Sequence, residues 1–510
     1  MNKRLLIPLL LTVLLAGVLR FYKVEQDPPG LYIDEASIGY NAYQILKTGK
    51  DEFGIAHPLF FKSFGDYKMP VYIYSVAGAM SVFGKNEFAV RLPSALAGTL
   101  TVFLFYFFVK KILELNRSRS SQVIKSYLPL LATFLLAISS WHIHFSRGGF
   151  EVNEGMLFYL VGVYLLLLFW EKKKRRFIIG GFFALALAMY TYHVFRILSP
   201  MTWVITSILF ILKLPKDRKE IVIAGVMFLL FLFPILQFSF TPEGSSRFSA
   251  SSAFSEYSTR SAQEKEFTFP MIYLKNYFSF FSLDFLFSNG DGNGRHQIHE
   301  FGLLFRFEFI FLILGIIWIF EQKKSFLAYI TFFLLIVAPI PGAVARPSPH
   351  SLRGLILVLP LTMITSIGVI TFLEFTRKKI KIALIILILI VLYELSSYIH
   401  AYYYHYSKVN ALDWGAGYKG IVEKATEKSD QYDYLIVDKT LSFAPTYFLF
   451  YNDSLKPIFV TSDWIKPKSW DGKHILYIRP FYGKRSDPKL VNNIYLPGNN
   501  NDIFAQLWEL

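Results

Sequence analysis

Long apolar runs recur along the first 400 positions, and each is stopped by a short basic cluster or a polar loop. A bilayer span needs ~20 predominantly apolar residues. The pattern predicts eleven such runs: 4–23, 88–109, 127–145, 154–170, 177–194, a sixth returning to Lys213–Lys219, 221–239, 304–320, 325–340, a tenth ending at Arg377, and 382–400. The stretch Val71–Phe83 is too short to span and reads as a partly embedded helix. From about residue 401 the period changes. Short β-like runs at Tyr434–Val437, Pro457–Val460, His474–Ile478 and Asn493–Leu496 alternate with Asp, Asn, Gly and Pro turn signals, and Gly417–Lys428 reads as a helix. The expected fold class is a polytopic α-helical membrane protein of about 11 transmembrane helices, with a small C-terminal α/β domain outside the membrane. The expected domains are residues 1–400 and 401–510.

The polar segments fix an orientation. Lys110, Lys111, Arg117, Arg119 and Lys125 form one basic cluster, and Lys172–Arg176 form the strongest. Lys213–Lys219, Lys323–Lys324 and Arg377–Lys379 complete the set. All fall on one side if the N-terminus is inside, as the positive-inside rule requires. The first loop (24–87), the loop near residue 145, Arg196, the long loop 240–303 and the loop Arg346–Arg353 then share the outer side. Eleven crossings put the C-terminal domain outside as well. The N-terminal run resembles a signal peptide, but no small-residue cleavage site leads into a soluble domain, so it reads as an uncleaved first helix. The expected location is the cytoplasmic membrane.

Composition supports this picture. The chain of 510 residues is 54% hydrophobic and only 18% charged, with mean hydropathy +0.39; soluble domains carry ~25% charged residues. The net charge of +16 would suggest nucleic acid in a soluble protein. Here the cations sit between apolar runs, so membrane lipids are the expected partner and nucleic acid is not. There is no cysteine, which excludes disulfide and thiol chemistry.

Candidate chemistry gathers at the outer ends. The first loop carries the adjacent acids Asp34 and Glu35, and a second cluster, Asp66-Tyr67-Lys68, closes it. A carboxylate near the membrane is costly unless solvated or paired, which makes these acids functional candidates; the plain alternative is a solvated loop. Opposite them stand His142, His144, Arg147, His193, Arg196, Arg295, His296, His299, Arg346, His350 and Arg353. Arginine matches phosphate oxygens in a bidentate fork. One acidic loop and several cations at one membrane level suit an anionic, lipid-linked substrate and an acid–base step. Arg147 and Arg196, at helix ends, could equally snorkel toward headgroups. His142 and His144 are two apart and fit packing or hydrogen bonding better than ligation. Asp291, His296, His299 and Glu300 could ligate a metal, but their spacing matches no standard motif, so a plain turn is the favoured reading. The glycines of this stretch form no phosphate-binding P-loop, because Gly-Lys-Ser/Thr is absent.

Several pieces together resemble a known family. They are the Asp34–Glu35 loop, Lys68-Met69-Pro70-Val71-Tyr72, Phe83-Gly84, and Phe88-Ala89-Val90-Arg91-Leu92-Pro93. Phe145–Glu151, Tyr190–Arg196, Asp291–His296 and Pro349–Arg353 add to them. Over roughly residues 1–400 the chain resembles the bacterial family 39 glycosyltransferases, which are similar to protein O-mannosyltransferases and lipid A aminoarabinose transferases and have the GT-C fold. The resemblance implies an inverting glycosyltransferase that moves a sugar from a polyprenyl-phosphate donor to a hydroxyl on a protein, lipid or glycan acceptor, outside the membrane. It implies Asp34 as general base, with Glu35 supporting it or holding the acceptor, and Asp66 in the same catalytic group. Lys68 would meet the donor phosphate; Arg147, His193, Arg196, Arg295, His296, Arg346 and Arg353 are further phosphate or sugar contacts. Met69 departs from the family, whose members often have Lys-Pro directly. No obligate cofactor is expected, and a divalent metal is left open. A lipid-linked sugar flippase would also use outer cations, but it predicts a midplane site and often an inverted repeat, and neither is seen. A non-catalytic scaffold leaves Asp34, Glu35 and Lys68 without a reason.

Overall fold

The computed structural model describes residues 3–116, 122–245, 252, 269–298, 301–322, 325–461, 473–480, 490–496 and 499–509. The chain opens with α1 (Lys3–Phe21), α2 (Ile33–Thr48), a hairpin of β1 (Phe61–Ser63) and β2 (Asp66–Lys68), α3 (Pro70–Phe83) and α4 (Glu87–Leu115). There follow α5 (Gln122–Ile138), α6 (Ser140–Arg147), α7 (Glu151–Lys172), α8 (Arg175–Met189), α9 (Phe195–Lys213), α10 (Arg218–Ser239) and α11 (Phe269–Ser279). Next are α12 (Glu308–Glu321), α13 (Phe326–Val337), α14 (Val358–Phe375) and α15 (Ile380–His400), which runs into a π-helical turn, Ala401–Tyr406. Then come α16 (Ala416–Lys428), β3 (Tyr434–Asp438), α17 (Ala444–Tyr451), β4 (Ile458–Val460), β5 (Ile475–Pro480), β6 (Leu490–Leu496) and β7 (Asn499–Glu509).

Ten of the eleven apolar runs each fall on one helix, the run 127–145 is divided between α5 and α6, and the short run at Val71–Phe83 is α3. Among the described residues, seven helical stretches are long and apolar enough to cross a membrane, and the α5–α6 pair, bent by 53°, brings the number to eight. Helices α8 and α12 have 15 and 14 residues. The protein is a multi-pass helical membrane protein.

The residues form two compact units. One comprises 1–22, 59–72 and 92–399, and the other 23–58, 73–91 and 400–510. In the helical unit the bend between α5 and α6 has a local cause. Ser139 leaves helical geometry, and its hydroxyl accepts from the His142 N–H to start α6. The carbonyls of Leu136 and Ala137 at the end of α5 are then taken up by the buried Arg20 guanidinium, at 3.3 and 3.0 Å. Helices α12 and α14 cross at glycines. A Cβ on Gly315 would overlap the Ile364 carbonyl, and one on Gly368 would overlap that of Phe311. Small residues allow this approach, which packing must drive because lipid supplies no hydrophobic force between helices.

The second unit contains a five-stranded sheet of order β4-β3-β5-β7-β6. β3 is parallel to β4 and β5, whereas β7 is antiparallel to β5 and β6. Ile436, Val460 and Ile475 form its core with Tyr434 and Tyr477 packed against it. Four of the strands and α16 match the sequence pattern. The sequence reading lacked α17 and β7. Segments 23–58 and 73–91 of the first loop belong to this same unit: Tyr447 Oη donates to Leu31 O at 2.7 Å, and Lys419 Nζ meets Glu87 at 2.7 Å.

Gly315→Val and Gly368→Val are each expected to cost roughly 1–3 kcal/mol through overpacking. The check is the thermal midpoint of the purified protein in detergent. Gly78→Ala, at a position where an added Cβ meets nothing within 4 Å, should leave the midpoint in place.

Candidate active site

In the helical unit, the two-residue turn Phe64–Gly65 closes the β1–β2 hairpin with both residues at positive φ, 50° and 77°. This is the turn geometry that matches strand twist, and glycine makes its second position cheap. The hairpin register pairs Ser63 with Asp66 and Phe61 with Lys68. Phe238 at the end of α10 pins it, stacking on Phe60 at 3.9 Å and meeting Tyr67 edge-on at 5.1 Å. Asp66 and Tyr67 thereby line a pocket of about 360 Å³ together with His193, Arg196 and Arg353. Arg196 donates to the sulfur of the buried Met69 through Nε and Nη2, at 3.3 and 3.0 Å. A thioether is a weak, uncharged acceptor. The contact orients the guanidinium. Arg353 donates to Pro347 O at 3.1 Å and is half-buried. The pocket thus combines one carboxylate with two guanidiniums and an imidazole, a combination able to hold a phosphorylated, hydroxyl-bearing ligand.

Other predicted contacts lie elsewhere. Lys68 is half-buried on β2 beside Tyr67 but does not line this pocket. Arg147 is only 1% exposed, and its Nη groups donate to Leu19 O and Tyr22 O at 2.9 and 2.7 Å. It closes the C-terminal end of α1 instead of snorkelling outward. His142 and His144 are both buried; the first meets Arg20 at 2.8 Å and the second Arg295 O at 2.8 Å, in keeping with hydrogen bonding. Arg346 is exposed in its loop.

Arg295 and His296 belong to a second cluster. His296 Nδ1 lies 2.7 Å from Asp291 Oδ2, the Ser351 N–H donates to that oxygen at 2.8 Å, and His350 Nδ1 is 3.7 Å away. Arg295 Nε reaches Asn293 Oδ1 at 3.4 Å. Burial pushes the Asp291 carboxyl up. The His296 hydrogen bond, the charges of His296 and His350 and the Ser351 N–H outweigh it and hold the group well below the usual carboxylate range. Asp291, His296 and His350 offer ligand atoms within 4.8 Å of one another, a donor set suited to zinc. The sequence reading had paired Asp291 and His296 with His299 and Glu300, which lie outside the described residues. His350 comes instead from a loop more than fifty residues on.

In the second unit, Asp34 is half-buried in the first turn of α2. Glu35 is fully buried. Its carboxylate receives Arg91 Nε at 2.8 Å and Nη2 at 3.0 Å, and Oε2 also accepts the Tyr32 N–H at 3.1 Å. Arg91 donates further to Val24 O at 2.9 Å, Pro28 O at 2.8 Å and Gly30 O, and its face lies 5.5 Å from the Trp414 ring. Arg91 had no role in the sequence reading. The available signal was its place inside an apolar run, where a cation requires a partner.

Residues 67–238 match the family of dolichyl-phosphate-mannose-protein mannosyltransferases. No curated protein sequence matches the chain. ArnT from Cupriavidus metallidurans, solved bound to undecaprenyl phosphate, is similar in structure with a TM-score of 0.59 at 11% identity, over 99% of this chain and 98% of that one. Its apo form gives 0.55 at 12% identity, over 98% and 97%. The oligosaccharyltransferase of Archaeoglobus fulgidus gives 0.52 at 11% identity, over 91% of this chain and 65% of that one. The chain therefore has the GT-C fold, in agreement with the resemblance drawn from its motifs.

Glu35→Gln is expected to cost ~3–5 kcal/mol of stability by leaving Arg91 without its counter-charge. Glu35→Leu with Arg91→Met should recover less than half of that, because Val24, Pro28 and Gly30 then lose their donor. Thermal unfolding checks both. Because its pKa is depressed in the fold, Asp291 contributes stability that is present above its unfolded pKa of ~3.9 and lost as pH falls toward the folded value. The deficit of Asp291→Asn relative to wild type should therefore be full at pH 7 and shrink below about pH 4. Added zinc should raise the midpoint of the wild type and not that of His350→Ala.

Proposed function

We propose that the protein is an integral membrane glycosyltransferase that moves a sugar from a polyprenyl-phosphate donor to a hydroxyl on a protein, lipid or glycan acceptor. The pocket carries this reading: Asp66, His193, Arg196 and Arg353 meet in one cavity, in a fold shared with a protein that was solved with undecaprenyl phosphate bound.

The donor brings its own leaving group, so the protein has two tasks. Arg196, Arg353 and His193 hold the phosphate and stabilise the charge that grows on it as the bond from the anomeric carbon to oxygen breaks. Asp66 accepts from donor sugar hydroxyls. Asp34 takes the proton from the acceptor hydroxyl as its oxygen bonds to the anomeric carbon from the opposite face, and the product is inverted. Glu35 does no proton transfer in this scheme. Its ion pair with Arg91 fixes the turn that presents Asp34. Arg147 positions backbone, and the Asp291 cluster orders the two loops that meet there. The N-terminus lies on the cytoplasmic side and the C-terminal sheet on the outer side.

Wild type and Asp34→Asn, reconstituted in the same lipid, would be incubated with a set of polyprenyl-phosphate sugars and a cell-envelope acceptor extract, and release of polyprenyl phosphate measured. Asp34→Asn should lose about 10²–10⁴ in kcat while unfolding like wild type. Arg196→Gln and Arg353→Gln should each weaken donor use roughly 10–100-fold, mainly in KM. Full turnover by Asp34→Asn would remove it as the base. Movement of intact donor across vesicles without release would favour a flippase. Because the chain has no cysteine, a single cysteine placed at His474 should react with an impermeant maleimide in whole cells.

A further inference from the structure

A second cavity of about 950 Å³ opens in the helical unit between α1, α5, α14 and α15. Its walls are apolar, with Pro8 from α1, Leu131 and Phe134 from α5, Ile370 from α14 and Leu384 from α15. Thr12 also lines it, but its hydroxyl already bonds Pro8 O at 2.8 Å. One end is charged. Arg377 and Glu374 line it, and Arg377 begins the exposed turn Arg377-Lys378-Lys379, three adjacent cations against one carboxylate. This end is far from the cation pocket. Sixteen residues of helix separate Val358, near Arg353, from Glu374, which is about 24 Å at the rise of an α-helix. A lipid whose phosphate sits in the pocket of Arg196 and Arg353 therefore has its headgroup at the opposite ends of these helices.

We infer that this groove is a binding site for an anionic phospholipid of the leaflet that faces the basic clusters, with its acyl chains along α1, α5, α14 and α15 and its phosphate on Arg377–Lys379. The apolar walls offer nothing to a soluble ligand, and the mouth has the charge that selects an anionic headgroup over a zwitterionic one. Each surface cation strengthens such binding roughly fivefold.

The full chain, delipidated in detergent, would be titrated with phosphatidylglycerol and with phosphatidylcholine of the same acyl chains, reading thermal midpoint and bound lipid by native mass spectrometry. Phosphatidylglycerol should stabilise more and remain bound. Arg377→Gln/Lys378→Gln/Lys379→Gln should weaken it roughly 100-fold. Leu384→Trp, which fills the groove from an exposed helix, should abolish the retained lipid, with Thr12→Phe as the second filling variant if the first does not fold. Lys172→Gln/Lys173→Gln/Lys174→Gln, in another basic cluster, should change nothing. Equal binding of the two lipids, equal loss in the control cluster, or undiminished lipid in a folded groove-filling variant would overturn the assignment. So would a groove-filling variant that turns a dimer into a monomer without changing bound lipid, because the occupant would then be a second copy of the chain.

Discussion

Arg91 and Glu35 are both wholly out of water, and neither could be so without the other. A buried ion pair adds little net stability over an apolar pair, because desolvating two charges is expensive. What it provides here is definition. The five donors of a guanidinium leave in fixed directions, and Arg91 directs them at Glu35 and at the carbonyls of Val24, Pro28 and Gly30. A polar loop with little core of its own is thereby held in one shape. The start of α2 follows from it, since Glu35 also takes the Tyr32 N–H, and Asp34 precedes Glu35 by one residue. Trp414 and Tyr447 close the same arrangement from the C-terminal part of the chain.

Arginine serves a related purpose in the helical unit. Arg20 satisfies the last carbonyls of α5, and Arg147 satisfies those following α1. In a medium without water a helix end must find donors inside the protein. Two long cationic side chains supply them, which permits α5 to end and α6 to begin at an angle. Arg196 differs: its soft contact with Met69 leaves it facing the cavity with Arg353, His193 and Asp66. Arg20, Arg91 and Arg147 thus hold backbone, whereas Arg196 lines the cavity.

Much of the fold was legible in the chain. The eleven apolar runs are helices because hydrocarbon tolerates no unpaired backbone, so length and hydropathy suffice to find them. Most of the sheet was legible for a similar reason, since β3, β4, β5 and β6 alternate or bury as short apolar runs. The candidate site was half legible. Asp66, His193, Arg196 and Arg353 were named from their outer positions, and the structure brings them to one cavity. Met69 looked like a departure from the family and turns out to support Arg196. His350 was counted among outer cations without a role, because its partners Asp291 and His296 are fixed only by the meeting of two distant loops.

The sequence by itself determined that this is a multi-pass membrane protein and that its cations cluster in the polar segments between the apolar runs. Those properties depend on local composition: hydropathy over some twenty residues and the cost of moving a charge through lipid. Tertiary structure alone decided which charges are buried. Glu35 and Asp34 are neighbours in the chain, as are Arg295 and His296, and nothing local separates a buried counter-ion from a half-buried group beside it. Only the packing of Arg91 on Glu35, of Asp291 on His296, and of Arg147 on the end of α1 makes that distinction. A charge's role is set by the partners that displace its water, and here those partners lie many tens of residues away.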